Sequence, residues 1–181
     1  MYLSIRIISG LHKGRRIRGP KNLPVRPTTD FAKEGLFNIL SHHTGVKDLR
    51  VLDLYSGTGN IAYEFASRGA LGIDCVDQHR GCIRFIEQTA RDFNFPVTTH
   101  AIEVMRFVQS SKTSYDLVFA DPPYDFNQET LELLVNQIIS GSLLNQNGQL
   151  ILEHTKERNF ESHPNWVHSR KFGGSVFSFF E

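Results

Sequence analysis

Asp121-Pro122-Pro123-Tyr124 follows directly on the apolar run Leu117-Val118-Phe119-Ala120. Proline lacks a backbone donor and fixes φ, so Pro122 ends sheet pairing and Pro123 keeps the chain out of a helix. The product is a stiff corner at the carboxyl end of a strand. It offers the Asp121 carboxylate, a Pro122 carbonyl with no competing partner in the chain, and the flat ring of Tyr124. Two acceptors beside a stacking surface suit a planar ring that bears an exocyclic amino group. Proline pairs also end strands to no further purpose, so the corner takes its meaning from a second motif.

That motif is Asp53-Leu54-Tyr55-Ser56-Gly57-Thr58-Gly59-Asn60-Ile61-Ala62. Gly57 and Gly59 permit a tight turn with close backbone approach, and Ala62 lets the next helix pack near the strand. Asp77 ends the following strand twenty residues after Gly57, where a carboxylate can accept both hydroxyls of a ribose. An adenosine-containing cofactor is the reading of the pair. A nicotinamide dinucleotide would use the same spacing, but Asp53 stands four positions before Gly57, in the mouth of the loop. An acid there repels a pyrophosphate and suits the cationic amino group of S-adenosylmethionine. In doubly wound sheets the switch point lies between the first and fourth strands, so the two loops are expected to face one crevice. A cofactor loop beside a corner that grips an amine means methyl transfer to nitrogen.

The elements that must position these groups alternate from Arg50 onward. Strands are expected at Val51–Tyr55, Ile73–Asp77, Val97–Ala101, Asp116–Ala120 and Gln149–His154. Helices are expected near Asn60–Arg68, Gly81–Phe93, Glu103–Ser110 and Gln128–Ser140. The strands are near-continuous apolar runs, as in a parallel sheet covered on both faces. Val167–Phe172 and Val176–Phe180, separated by Gly173-Gly174, read as a closing antiparallel hairpin. Upstream, Tyr2–Ile8 and Arg15–Arg18 flank a Gly10–Gly14 turn as a second hairpin, followed by Pro24 and Pro27. A helix then starts near Thr28–Asp30 with Ala32, Leu36, Ile39 and Leu40 on one face. The expected fold class is a doubly wound, mostly parallel, seven-stranded Rossmann-like α/β sheet. Residues 1–27 are expected to form a basic hairpin extension, and residues 28–181 the catalytic domain.

Composition agrees with one domain. The 181 residues are 40% hydrophobic and 22% charged, the balance of an ordinary globular chain. The N-terminal ten residues carry Arg6 and no unbroken apolar core, unlike a signal peptide, and no run approaches a membrane span. Cys75 and Cys82 read as reduced structural thiols, and no His/Cys cluster has metal-ligand spacing. A cytoplasmic monomer without metal or membrane attachment is expected. The net charge of +1 hides an asymmetry: residues 1–34 carry eight basic and two acidic groups, the remainder twelve basic and seventeen acidic. A basic arm on an acidic body points to a polyanionic partner, with Arg6, Lys13, Arg15, Arg16, Arg18 and Arg26 as its contacts.

VLDLYSGTG, the acid at Asp77, and DPPY resemble motifs of the class I S-adenosylmethionine-dependent methyltransferases. RIISGLHKGRRI followed by RPTTDFAKEGLFNIL, with LILEH at 150–154 and the FGGSVFSFF ending, resembles the ribosomal small-subunit RNA methyltransferase D family. Those enzymes act on the N2 amine of a guanine in 16S ribosomal RNA, free or in the small subunit. The resemblance implies that Asp121 and the Pro122 carbonyl hold that amine at the reacting methyl while Tyr124 stacks on the base. It implies S-adenosylmethionine contacts at Asp53, Tyr55, Ser56, Gly57, Thr58, Gly59, Asp77, Gln78, Ile102, Glu103 and Asp121. The chain departs from the family pattern at Lys33-Glu34-Gly35 (usually Arg-Glu-Ala), at Glu103 (often Asp) and at Phe172-Gly173 (commonly Tyr-Gly). Rival readings are a DNA adenine-N6 or protein glutamine methyltransferase, a nicotinamide oxidoreductase, and a noncatalytic RNA-binding module. Asp53, the intact corner and the lack of a hydride-chemistry constellation weigh against the last two. His154 takes no role.

Overall fold

The computed structural model describes residues 4–19, 29–43, 45–141 and 143–181. The main sheet has seven strands: β3 (Arg50–Leu54), β4 (Gly72–Val76), β5 (Val97–His100), β6 (Tyr115–Ala120), β7 (Leu144–Thr155), β8 (Trp166–Phe172) and β9 (Ser175–Phe180). Their order is β5-β4-β3-β6-β7-β9-β8. All pairs through β6–β7 are parallel, whereas β7–β9 and β8–β9 are antiparallel. The chain therefore reverses its lateral direction between β3 and β6, where the expected switch point lies. The central strands are buried on both faces: Val51, Leu52, Leu54, Val118, Ala120, Leu150 and Leu152 expose almost nothing.

Two apolar layers flank the sheet. One joins α1 (Asp30–His43), α2 (Asn60–Ser67) and α3 (Arg80–Phe93) to Val51, Phe119, Ile151 and Phe177. The other joins α4 (Val104–Ser110) and α5 (Gln128–Ser140) to Leu52, Val118, Leu152 and Phe180. Helix α1 buries Ala32, Leu36 and Leu40 as its periodicity predicts, and the Thr29 hydroxyl accepts the Ala32 N–H at its start (3.2 Å).

The short hairpin β1 (Ser4–Arg6) with β2 (Arg16–Arg18) is antiparallel and pairs Ile5 with Ile17. It is locked to α2. The Glu64 carboxylate, fully buried, accepts the N–H groups of Ile8 (2.8 Å) and Ser9 (3.0 Å). Gly10 has φ +83°, and a Cβ there would lie 1.8 Å from the Ser67 carbonyl oxygen, so only glycine lets the turn close on the helix. Lys33, also fully buried, donates to the Arg6 carbonyl (2.6 Å) and Asn60 Oδ1 (2.8 Å), with Glu64 3.9 Å away. Burial pulls its ammonium below the usual value, and the Glu64 charge opposes that.

Two of the departures from the family pattern meet in space. A Cβ on Gly35 would stand 2.2 Å from Cε1 of Phe172. Gly35→Ala is therefore expected to destabilise by about 1–3 kcal/mol through overpacking, against a helix-propensity gain of about 1 kcal/mol. Urea unfolding of Gly35→Ala, Phe172→Leu and the double variant checks it. If Gly35→Ala proves more stable than the parent, the contact is not rigid.

Candidate active site

The Asp121 N–H donates to the Leu54 carbonyl at 3.3 Å, so the proline corner leaves the sheet against the last residue of β3. Tyr55 follows Leu54 and meets Phe126 edge to face, centroids 6.0 Å apart. The loops after β3 and β6 thus border one crevice. Asp121 is half-buried, Pro122 buried, and Tyr124 43% exposed. The Phe126 N–H closes a turn onto the Pro123 carbonyl (3.1 Å), and the Pro122 carbonyl accepts no hydrogen bond from the described residues. A shallow, open depression adjoins the corner, lined by Pro122, Tyr124, Phe126, Glu153, Thr155 and Arg158 among others. Arg158 donates to the Phe126 carbonyl (2.9 Å), which fixes the loop from the β7 side.

On the glycine side, Gly57 and Gly59 have φ of +51° and +79°, and a Cβ on Gly59 would come within 2.7 Å of the Tyr63 ring. Tyr55 also lies in the left-handed region (φ +59°), a costly conformation for an aromatic residue that persists where surrounding structure enforces it. The Asp77 carboxylate receives the Gly57 N–H (2.9 Å) on one oxygen and the His79 N–H (2.7 Å) on the other. That carboxylate shapes the turn. Ser56 and Thr58 are buried and Gln78 is exposed.

Asp53 departs from its expected place. It lies within β3, in register between Cys75 and Phe119, and is only 2% exposed. Strand pairing continues one residue past it, so the carboxylate sits under the crevice floor and not in the loop. Burial pushes its carboxyl up to about 8; the Ala62 N–H pulls it down and the Asp77 charge adds to the rise. Its Oδ2 has no hydrogen-bond partner, nor have the buried Tyr55 and Tyr63 hydroxyls. Buried polar atoms without partners are rare in folded proteins. The Asp53 oxygen, beneath the glycine turn, fits a ligand that brings a cation.

Glu103 stands at the expected adenine end as the N-cap of α4, its two oxygens accepting from Met105 and Arg106 (both 2.9 Å). Ile102 beside it is half-buried. Cys75 and Cys82 are buried free thiols, both raised by desolvation. His154 is held by Thr155 and Ser178 and is lowered by desolvation, as befits a structural imidazole.

Sequence reasoning missed Glu153. Ala120 faces Leu152 across β6–β7, so the next residues, Asp121 and Glu153, come out side by side. Glu153 is 1% exposed, and Ser175 donates to it at 2.6 Å. The signal was an acid inside the apolar run LILEH.

Lys13, Arg15, Arg16 and Arg18 are exposed along the hairpin, while Arg6 pairs with Asp30 at 2.9 Å. Arg26 lies outside the described residues. Among the described residues no helix is long and apolar enough to cross a membrane, and no His, Cys, Asp and Glu group could hold a metal ion.

The sequence pattern of the family described as conserved hypothetical protein 95 matches residues 5–181. The ribosomal RNA small subunit methyltransferase D of Escherichia coli strain K12 is 30% identical over 177 residues, 95% of this chain and 86% of that protein. Its namesake from Buchnera aphidicola subsp. Baizongia pistaciae is 30% identical over 91% of this chain and 84% of its own length. The solved Escherichia coli protein yhhF superposes with a TM-score of 0.83 at 26% identity, covering 98% of this chain and 97% of that one. A Thermus thermophilus 16S rRNA N2 methyltransferase, solved with AdoMet and guanosine, shares the fold at TM-score 0.75 and 16% identity, over all of this chain and 50% of its own. With its switch-point crevice, glycine turn and proline corner, the chain belongs to the conserved hypothetical protein 95 family of class I S-adenosylmethionine-dependent methyltransferases, alongside the ribosomal RNA small subunit methyltransferase D proteins.

Proposed function

We propose that this protein methylates the exocyclic N2 amine of a guanine in small-subunit (16S) ribosomal RNA, acting as a cytoplasmic monomer. The observation that carries the reading is the Asp121–Leu54 backbone contact, which joins an amine-gripping corner to the glycine turn and its buried acid. S-adenosylmethionine supplies an electrophilic methyl group on a sulfonium when bound. Asp53 serves its amino group, Asp77 its ribose, and Ser56 to Gly59 line its path, with Tyr55 on the methionine side. Gln78, Ile102 and Glu103 border the adenine end, where Glu103 would share its oxygens between cap and ligand.

The guanine amine is a poor nucleophile because its lone pair is delocalised into the ring. Its two N–H groups are held by the Asp121 carboxylate and the Pro122 carbonyl, which draws the nitrogen toward tetrahedral geometry and aims the lone pair. Pro123 keeps this carbonyl fixed, and Tyr124 stacks on the base once it has left its own stack. The carboxylate also stabilises positive charge growing on the nitrogen.

Residues 1–27 act as a basic extension to a methyltransferase unit spanning 28–181, gripping phosphates through Arg6, Lys13, Arg15, Arg16, Arg18 and Arg26. Replacing Arg15, Arg16 and Arg18 by Ala is expected to weaken RNA binding and flatten its logarithmic salt slope by about 0.7–0.9 per lost phosphate contact. Filter binding across a salt series measures it; an unchanged slope would make the arm mere surface. The reaction itself is tested by labelled methyl transfer to unmodified small-subunit RNA and particles, followed by nucleoside analysis. N2-methylguanosine supports the reading and N6-methyladenosine overturns it.

A further inference from the structure

Phe31, in the first turn of α1, leaves 66% of its surface in water. Its ring does not hang loose. It meets Phe172 edge to face, with centroids 6.0 Å apart and planes at 72°. Phe172 is seated in turn by the missing side chain of Gly35, one helical turn beyond Phe31. A half-buried ring thus props an exposed one. Core packing does not account for Phe31, because most of its apolar area stays hydrated.

The position of this pair ties it to the crevice. Phe172 pairs with Ser175 across β8–β9, and Ser175 pairs with Thr155 across β9–β7. The Ser175 hydroxyl donates to Glu153, which emerges beside Asp121. Phe119, Ile151 and Phe172 belong to the apolar layer beneath α1, and strand alternation puts Asp121 and Glu153 on that same face. Among the exposed charges beside the ring pair, Arg170 stands two residues before Phe172 on the same face of β8, and Glu34 lies three residues beyond Phe31 in α1. A propped, exposed aromatic ring with one cation on its face of the sheet, at the edge that carries the amine corner, matches the stacking platforms of single-stranded nucleic-acid grooves.

We propose that Phe31, braced by Phe172, stacks on a nucleotide flanking the target base in the single-stranded segment of the RNA substrate. The inference rests on the RNA reading above. Stacking is electrically neutral, so its loss lowers affinity without altering the salt slope, whereas loss of a phosphate contact alters both. The probe is a fluorescently labelled, unmodified small-subunit RNA fragment, titrated by anisotropy at several salt concentrations. Phe31→Ala is expected to bind it on the order of ten-fold more weakly with a parallel salt slope, and Phe31→Trp to bind within about two-fold of the parent. S-adenosylmethionine affinity and thermal stability stay at parental values in both. Unchanged RNA affinity in Phe31→Ala, or a loss that Phe31→Trp does not restore, overturns the platform. So does sedimentation showing that Phe31→Ala merely splits a dimer of the chain. If Asp121→Ala abolishes methyl transfer while Phe31→Ala changes nothing, the function stands and the platform falls. If the parent binds the fragment through Phe31 yet transfers no methyl group to RNA, the functional reading fails instead.

Discussion

Asp121→Ala is expected to lower methyl transfer to RNA by about 100-fold or more, with S-adenosylmethionine affinity nearly unchanged. The geometry separates the two effects. The Asp121 backbone is pinned by the Leu54 carbonyl through its N–H, a bond that alanine keeps. The crevice and the glycine turn therefore survive the substitution. The lost group is the carboxylate that holds one amine hydrogen and stabilises the charge growing on nitrogen. Asp121→Asn keeps an acceptor and loses the charge, so an intermediate rate is expected. Single-turnover kinetics with saturating cofactor measures the rate, and calorimetry measures the affinity. Loss of cofactor affinity with normal turnover would move Asp121 out of the amine site altogether.

Much of the fold was legible because its signals are local. The buried parallel strands read as apolar runs, and α5 was located at Gln128–Ser140, where Asn127 caps it by accepting the Thr130 N–H (2.9 Å). Strand β7 is the instructive miss. It begins at Leu144, five residues before the expected Gln149. Asn145, Asn147 and Gly148 look like loop residues, yet a register shift opposite Tyr115–Leu117 and a left-handed Asn147 (φ +68°) carry them within the strand. The turns that carry Asp121, Tyr124, Gly57, Gly59 and Asp77 were readable because turn chemistry fixes residue types at short spacing. The partnerships of Lys33 with Glu64, Glu153 with Ser175 and Phe31 with Phe172 were not. They join positions 22 to 141 residues apart, and one sequence carries no record of such distances. What it did hold was the anomaly of each acid: Glu64 in a helix otherwise built for burial, and Glu153 in an apolar strand.

Asp53→Asn is expected to weaken S-adenosylmethionine binding by ten-fold or more while making the ligand-free protein more stable near pH 8, an order of magnitude set by losing a charge-assisted bond. The sign follows from burial. In the folded protein the Asp53 carboxyl is raised to about 8 from an ordinary 3.8, chiefly by desolvation. Below about pH 4 both folded and unfolded chains hold the proton, and the group does not oppose folding. As pH rises from there to about 8, the unfolded chain releases the proton and the folded chain keeps it, so stability falls by up to about 1.4 kcal/mol per unit. Asparagine removes that slope, and thermal melts of parent and variant should diverge progressively across the window. A cationic amino group beside Asp53 favours the charged carboxylate, so cofactor binding at pH 7 should expel a proton in the parent and none from this position in the variant. Calorimetry in two buffers of different ionisation enthalpy counts that proton. Equal proton release from parent and Asp53→Asn, or equal affinity, would mean that the unpartnered oxygen beneath the glycine turn serves packing alone. A gain in stability coupled to a loss of binding would show the opposite: β3 keeps an uncomfortable acid in its interior because the crevice above it needs one.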